Sequence, residues 1–392
     1  MQRCVAANRS LFFSGAAAVC LAAAGSADQV RLPAGLPDNP RLRVAVVRAS
    51  REVPVTFERG YVAVTPQREI TLRKLAKPVS GPLRTEDEGL SLAGALFRIY
   101  GVRFYPPDRR FLLGDRRYAG VLEVLRAKDG SLTLVEEVGV EEYIEGVLPR
   151  ELPASWPAEV LKAQAVLSRS FALYKSLTRG AHDYDVVVEG WAQRYGGESS
   201  EHAKSNKAVA DTRGEVLVYR RNLLLPFFHA NCGGRTTRPE TIWDIAPHPS
   251  LREVASEWSL RERHGTWSLE LSPDAVFRAL LKAGFRVGPI ARVTIAGRDA
   301  SGRALRFHVR HLDGELDVPA NAFRLALGAD RMKSTLVTIE RRAGKILFAG
   351  HGWGHGVGLC QWGAKAMAER GKTYREILDH YFPGTAVARI AR

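Results

Sequence analysis

Cysteine is scarce in this chain of 392 residues. There are four, and Cys4 and Cys20 fall in the first 27 positions. Two remaining cysteines do not make a disulfide scaffold, so the protein must fold on buried cores, for which its length is ample. Acidic residues are also in deficit: 42 Asp and Glu stand against 57 Lys and Arg, giving a formal net charge of +15. Such an excess calls for an anionic neighbour, whether nucleic acid, anionic lipid or an acidic wall polymer. Beyond residue 27 no apolar run is long enough for a membrane helix. Tandem repeats and low-complexity tracts are missing as well. What is present is ordinary for a globular protein: 45% hydrophobic, 25% charged and 8% aromatic residues. The length suits two domains, or one large domain with an insertion.

The first 27 residues read as a secretory signal. Arg3 and Arg9 form a basic start, residues 11–24 are apolar but short for a bilayer, and Gly25, Ser26 and Ala27 suit cleavage. Val19 before Cys20 is a poor lipoprotein signal. The expected mature protein is exported to the periplasm or the extracellular cell wall, without stable membrane insertion and without a nucleic-acid partner. Its remaining cysteines, Cys232 and Cys360, suggest one disulfide in an oxidising compartment.

Residues 28–115 read as a β-rich N-terminal region, with strands at 42–47 and across 53–64. Runs at 118–124 and 132–135 flank Asp129 and Gly130, a hairpin signal. A short helical turn from Val140 should stop at Pro149. Ser155 then caps a long amphipathic helix, with Val160, Ala163, Gln164, Leu167, Phe171 and Tyr174 on one face, ended by Gly180. Further helices are expected at 200–213, 273–283, 364–370 and 374–381, and strands at 215–219, 293–295, 304–311 and 335–339. The fold class is therefore α+β: β-rich with one long central helix. Residues 116–392 read as a second domain interrupted by an inserted α+β subdomain at about 241–345.

Three segments could carry chemistry. Glu151 sits between Pro149 and Pro153, just before the long helix, where burial would make it a general acid/base. A surface glutamate answering Arg150 is the alternative. His229, Asn231 and Cys232 form a second constellation. The third runs from His351 to Gly363, with five glycines among Trp353, His355, Gln361 and Trp362. Backbone this free of side chains approaches something closely, and aromatic faces beside amides and imidazoles suit a sugar cleft. The run lacks the Gly-Lys-Ser/Thr ending of a phosphate loop. His229 and Cys232 with His351, His355 or Cys360 could bind zinc, although the spacing matches no standard finger. A Cys232–Cys360 disulfide, a zinc site and free thiols all remain open.

Several ordered motifs together resemble the stage II sporulation protein D family, which includes the amidase enhancers. They are the stretch 140–173 around Leu148, Pro149, Arg150, Glu151, Leu152 and Pro153; the segment 229–234; Ser301, Gly302 and Arg303; Phe323 and Arg324 before Leu327 and Gly328; the run 352–364; and Tyr381 to Thr385. The resemblance covers residues 116 to the C-terminus. It implies a lytic transglycosylase acting on peptidoglycan glycan strands stripped of stem peptides, without a cofactor. Its catalytic acid corresponds to Glu151, with Leu152 replacing the family's methionine. Arg169, Tyr195, His229, His355, Gln361 and Trp362 are the substrate-binding candidates. Each has a structural alternative: Arg169 paired with a carboxylate, Trp362 in the core, His355 bonded to backbone. A non-catalytic glycan-binding enhancer of a cell-wall amidase is the second reading, and a charge-driven envelope-binding protein the third.

Overall fold

The computed structural model describes residues 30–180, 182–188, 193–262 and 265–390. The expected signal peptide, with Cys4 and Cys20, lies outside these residues. The fold is mixed α+β, with contacts dividing the described chain into two compact units: residues 30–227 with 364–390, and residues 228–363.

In the first unit, a seven-stranded sheet runs in the order Val186–Val187, Arg41–Ser50, Leu132–Gly139, Val121–Arg126, Gly101–Tyr105, Tyr61–Val64, Thr71–Leu75. The expected hairpin pairs Val121–Arg126 with Leu132–Gly139, and Gly130 takes the left-handed φ of 79° its turn requires. Arg41–Ser50 pairs antiparallel with Leu132–Gly139. A boundary at residue 115 would cut through this sheet, so the β-rich stretch shares one unit with Leu132–Gly139 and its neighbours. A six-stranded sheet centred on Glu52–Phe57 and Val79–Glu86 completes the β portion. Phe57, Tyr61, Phe104 and Phe111 interlock in the core, with ring centroids of 5.1 to 6.3 Å between neighbours.

Helix α1 (Val140–Glu151) follows directly on the sheet. It does not stop at Pro149. The proline ring lies inside the last turn, and the Leu152 N–H closes that turn on the Leu148 carbonyl beyond it. Leu152 itself is extended (φ −132°, ψ 141°), as a residue before Pro153 must be. Helix α2 (Ala158–Thr178) begins without a side-chain cap: Pro157, not Ser155, occupies that position. Residues Ala163 to Ser170 are all buried, so α2 is enclosed on every side there rather than amphipathic. Phe171 and Tyr174 are only half-buried. Its polar residues find partners inside. Arg169, fully buried, donates Nε and Nη2 to the Glu141 carboxylate of α1 at 3.0 and 2.7 Å, and Nη1 to the Glu215 carbonyl at 2.9 Å. Gly214 N–H also donates to Glu141. Helix α3 (Ala203–Asp211) is shorter than expected.

The second unit contains α4 (Pro273–Lys282) and α5 (Ala320–Leu327), packed with two three-stranded sheets around Phe307, Phe323 and Phe348. It is wider than the expected insertion, beginning at the strand Phe228–His229 and taking in the glycine-rich run. Helices α6 (Gln361–Ala368) and α7 (Tyr374–Tyr381) come next in the chain. A capping box between Thr373 and Glu376 fixes the start of α7.

One buried acid in the first unit sets a pH dependence. Glu136 is fully buried, accepts the Ala119 N–H at 2.9 Å, and has the Tyr195 hydroxyl beside it. Burial raises its pKa from 4.5 to about 8. A raised native pKa makes the contribution fully present below pH 4.5 and lost as pH rises through about 8. Glu136→Gln should therefore raise the melting temperature at pH 8 while changing it little at pH 4.5, read by thermal melts at both values. Equal shifts at the two pH values would contradict a neutral Glu136.

Candidate functional site

Glu151 is the last residue of α1, half-buried, on a connector stiffened by Pro149 and Pro153. Burial pushes its pKa up, against the opposing pull of the Arg194 backbone N–H and the Arg194 charge. That N–H donates to Glu151 Oε1 at 2.7 Å. It is the carboxyl's only hydrogen bond among the described residues, which leaves Oε2 uncommitted. A raised carboxyl with one oxygen held is suited to give and take a proton.

The segment that reaches Glu151 is positioned by a glycine. A Cβ on Gly146 of α1 would lie 2.5 Å from the Tyr195 ring. Without it, Tyr195 lies against α1, with its ring centroid 4.9 Å from that of Tyr143. Gly196 N–H and the Ser200 hydroxyl both donate to the Gly146 carbonyl, at 3.2 and 2.7 Å. This lays residues 193–200 along α1 and presents the Arg194 amide at Glu151. Gln193, one residue further back, is buried with neither amide atom partnered among the described residues. On the same helix, burial and the neighbouring Glu201, Glu142 and Glu141 raise half-buried Glu145 to about 7.

In the second unit two loops are stitched together. Phe228–His229 pairs in parallel with Leu359–Cys360, placing His229 opposite Cys360. Asn231 and Trp353 exchange backbone hydrogen bonds of 2.9 and 2.7 Å. Gly354 (φ 115°) and Gly356 (φ 90°) are required here: a Cβ on either would come within 2.6 Å of His229 or of the buried Arg303 guanidinium. His355 is bonded to backbone through both nitrogens. Nδ1 accepts the Val357 N–H and Nε2 meets the Phe228 carbonyl, at 3.0 Å each. Burial, reinforced by His229, drives its pKa well below the ordinary imidazole value. The Trp243 ring stands 4.9 Å from it, and Lys333 Nζ lies 4.8 Å over Trp353. Trp353 and Trp362 are half-buried and Gln361 is buried.

His229, Cys232 and Cys360 converge, their ligand atoms all within 4.8 Å of one another. Both cysteines are free and buried. The structure brings the expected disulfide partners together but does not join them.

Known proteins share these segments. Residues 128–219, which hold α1, α2 and the segment touching Glu151, match the family described as Stage II sporulation protein. An uncharacterised protein of Brachyspira hyodysenteriae is 32% identical over 288 residues, spanning 73% of this chain and 76% of that protein. The chain belongs to the stage II sporulation protein D family. The family's amidase enhancer from Bacillus subtilis is 29% identical over 62% of this chain, though only 40% of the enhancer's length is covered. Stage II sporulation protein D of Bacillus amyloliquefaciens is 27% identical over 65% of this chain and 75% of its own length. Membership in this family gives the protein a cell-wall related role. Residues 266–358 separately match a domain of unknown function.

Within this family member the expected site residues part company. Glu151 keeps the environment of an acid. Arg169 does not face a ligand: its guanidinium is enclosed and spent on Glu141 and a carbonyl. Tyr195 is likewise an interior residue, and its neighbour Arg194 is the one that reaches the acid. Nothing in the side-chain pattern singles out Arg194, because its backbone makes the contact. His229, His355, Gln361 and Trp362 belong to the second unit. There His355 and His229 are held by backbone, and Trp362 presents a half-buried ring.

Proposed function

We propose that the protein is an exported cell-wall lytic transglycosylase that cleaves peptide-stripped glycan strands, with Glu151 as its single acid/base. The observation that carries the reading is the Glu151 carboxyl, raised by burial, with one oxygen held by the Arg194 amide and no hydrogen bond to the other among the described residues. Protonated Glu151 donates to the glycosidic oxygen between N-acetylmuramic acid and N-acetylglucosamine. The carboxylate so formed takes the proton of the muramic acid 6-hydroxyl, whose oxygen attacks C1 and closes a 1,6-anhydro ring. The substrate supplies the nucleophile, so the second carboxylate of glycoside hydrolases is not required. The half-buried indoles of Trp353 and Trp362 offer faces on which pyranose rings stack. Export rests on the leader-like first 27 residues, and no helix among the described residues is long and apolar enough to cross a membrane.

The similarity to an amidase enhancer favours a second reading, in which the chain binds glycan strands and stimulates a separate cell-wall amidase. Purified mature protein incubated with denuded strands separates the two. Mass spectrometry should find anhydromuramoyl ends. Intact strands from a folded, strand-binding preparation would sink the enzyme reading and leave the enhancer.

A further inference from the structure

We propose that His229, Cys232 and Cys360 bind one zinc ion, which fastens the glycine-rich run 351–363 to the segment 229–234. The chemistry of the donor set comes first. One imidazole and two thiolates are zinc ligands, and deprotonating both thiols on binding leaves a neutral zinc–dithiolate in a buried place. The strand pairing does the positioning, since His229 stands opposite Cys360 and Cys232 comes three residues later on the adjoining turn. All three residues are at least nine-tenths buried.

The second observation is the state of the histidine. His229 Nδ1 lies 3.1 Å from the Val357 carbonyl, so its proton belongs there and the Nε2 lone pair is left unprotonated. Among the described residues Nε2 is buried with no nitrogen or oxygen partner, and the group beside it is the Cys232 thiol. A metal-bound histidine has this arrangement, one nitrogen donating to a carbonyl and the other ligating. A buried imidazole lone pair facing two thiols is the arrangement in which a metal replaces the thiol protons.

The sulfurs are prepared in the same way. Cys360 Sγ accepts the N–H groups of Cys232 and Gly363 at 3.2 and 3.3 Å, and Cys232 Sγ lies 3.2 Å from the Ser259 hydroxyl. Amide donors aimed at sulfur favour the thiolate that binding would form, the thiol proton of Cys360 otherwise pointing to the Ala230 carbonyl at 3.8 Å. Arg303, also buried, donates to the Cys232 carbonyl and adds positive charge beside the pair. His351 is exposed and takes no part, and both nitrogens of His355 are engaged by backbone. The set is therefore three protein ligands, with a fourth position for water or the Ser259 hydroxyl. This proposal does not depend on Glu151 being catalytic.

The test uses the full mature chain, expressed with zinc and purified without chelator. Elemental analysis should give about one zinc per chain. Both thiols should resist iodoacetamide until a chelator is added. Replacing zinc by cobalt should produce a thiolate-to-cobalt charge-transfer band in the near ultraviolet. Cys360→Ser and His229→Ala should lose the metal, while His351→Ala should keep it. The cobalt spectrum and thiol protection are read on the unaltered protein, so a variant that fails to fold does not decide the matter. A metal-free protein whose mass shows the two cysteines joined as a disulfide would overturn the proposal. So would free, readily alkylated thiols in the presence of saturating zinc.

Discussion

Glu151→Gln should abolish strand cleavage, lowering the rate by about 100- to 10,000-fold, while leaving strand binding nearly unchanged. The reason lies in the groups the substitution keeps. The amide has almost the carboxyl's shape, and its oxygen can still accept the Arg194 N–H that now lies 2.7 Å from Oε1. The variant loses the proton. A carboxyl raised by burial is protonated at higher pH than an exposed one, so it can start the reaction as an acid. Wild-type cleavage should therefore fall as pH rises through the raised Glu151 pKa, because the donor form is lost there. Release of anhydromuramoyl ends and co-sedimentation with denuded strands, measured on both proteins, separate chemistry from binding. Loss of binding together with cleavage would make Glu151 a positioning residue. Full cleavage by the glutamine variant would remove it from the mechanism.

Arg169→Ala should cost roughly 3–5 kcal/mol, the scale for removing one partner of a buried ion pair. Domains have only about 5–15 kcal/mol of stability to lose, so the variant should melt far lower or accumulate as insoluble protein. The Arg169 side chain is 0% exposed and that of Glu141 is 3% exposed. Truncating the arginine leaves Glu141 buried, facing only the Gly214 N–H and an unfilled space. The paired replacement Arg169→Met with Glu141→Leu removes both charges together and should recover most of the loss. Denaturant unfolding of the single and paired variants checks this. A single variant as stable as wild type would mean that the pair is solvated, contrary to its burial. Because the Arg169 guanidinium is enclosed and bonded to Glu141 and the Glu215 carbonyl, the paired variant should also retain strand binding.

Local pattern carried far because several elements are dictated locally. Alternation and the Asp129-Gly130 turn made the hairpin visible, and Thr373 with Glu376 marks the start of α7. The identity of Glu151 was legible for a similar reason: two prolines and a helix start surround it in the chain itself. Burial was harder to read. Arg169 sits on a helix whose spacing suggests a polar face, yet that face is enclosed, so a residue that resembled a ligand contact is an internal ion pair. Tyr195 is displaced from the candidate site because Gly146 lets its ring close against α1.

The amino-acid sequence by itself determined the α+β class, the long α2 and the acid at its threshold, since periodicity, proline and turn chemistry act over a few residues. It also held the motifs that mark the family. Only the tertiary structure decided which polar groups face inward, that the Arg194 backbone holds Glu151, and that His229, Cys232 and Cys360 meet. Those contacts join positions more than forty and more than a hundred residues apart. They depend on desolvation and strand register, which no short stretch of chain can specify.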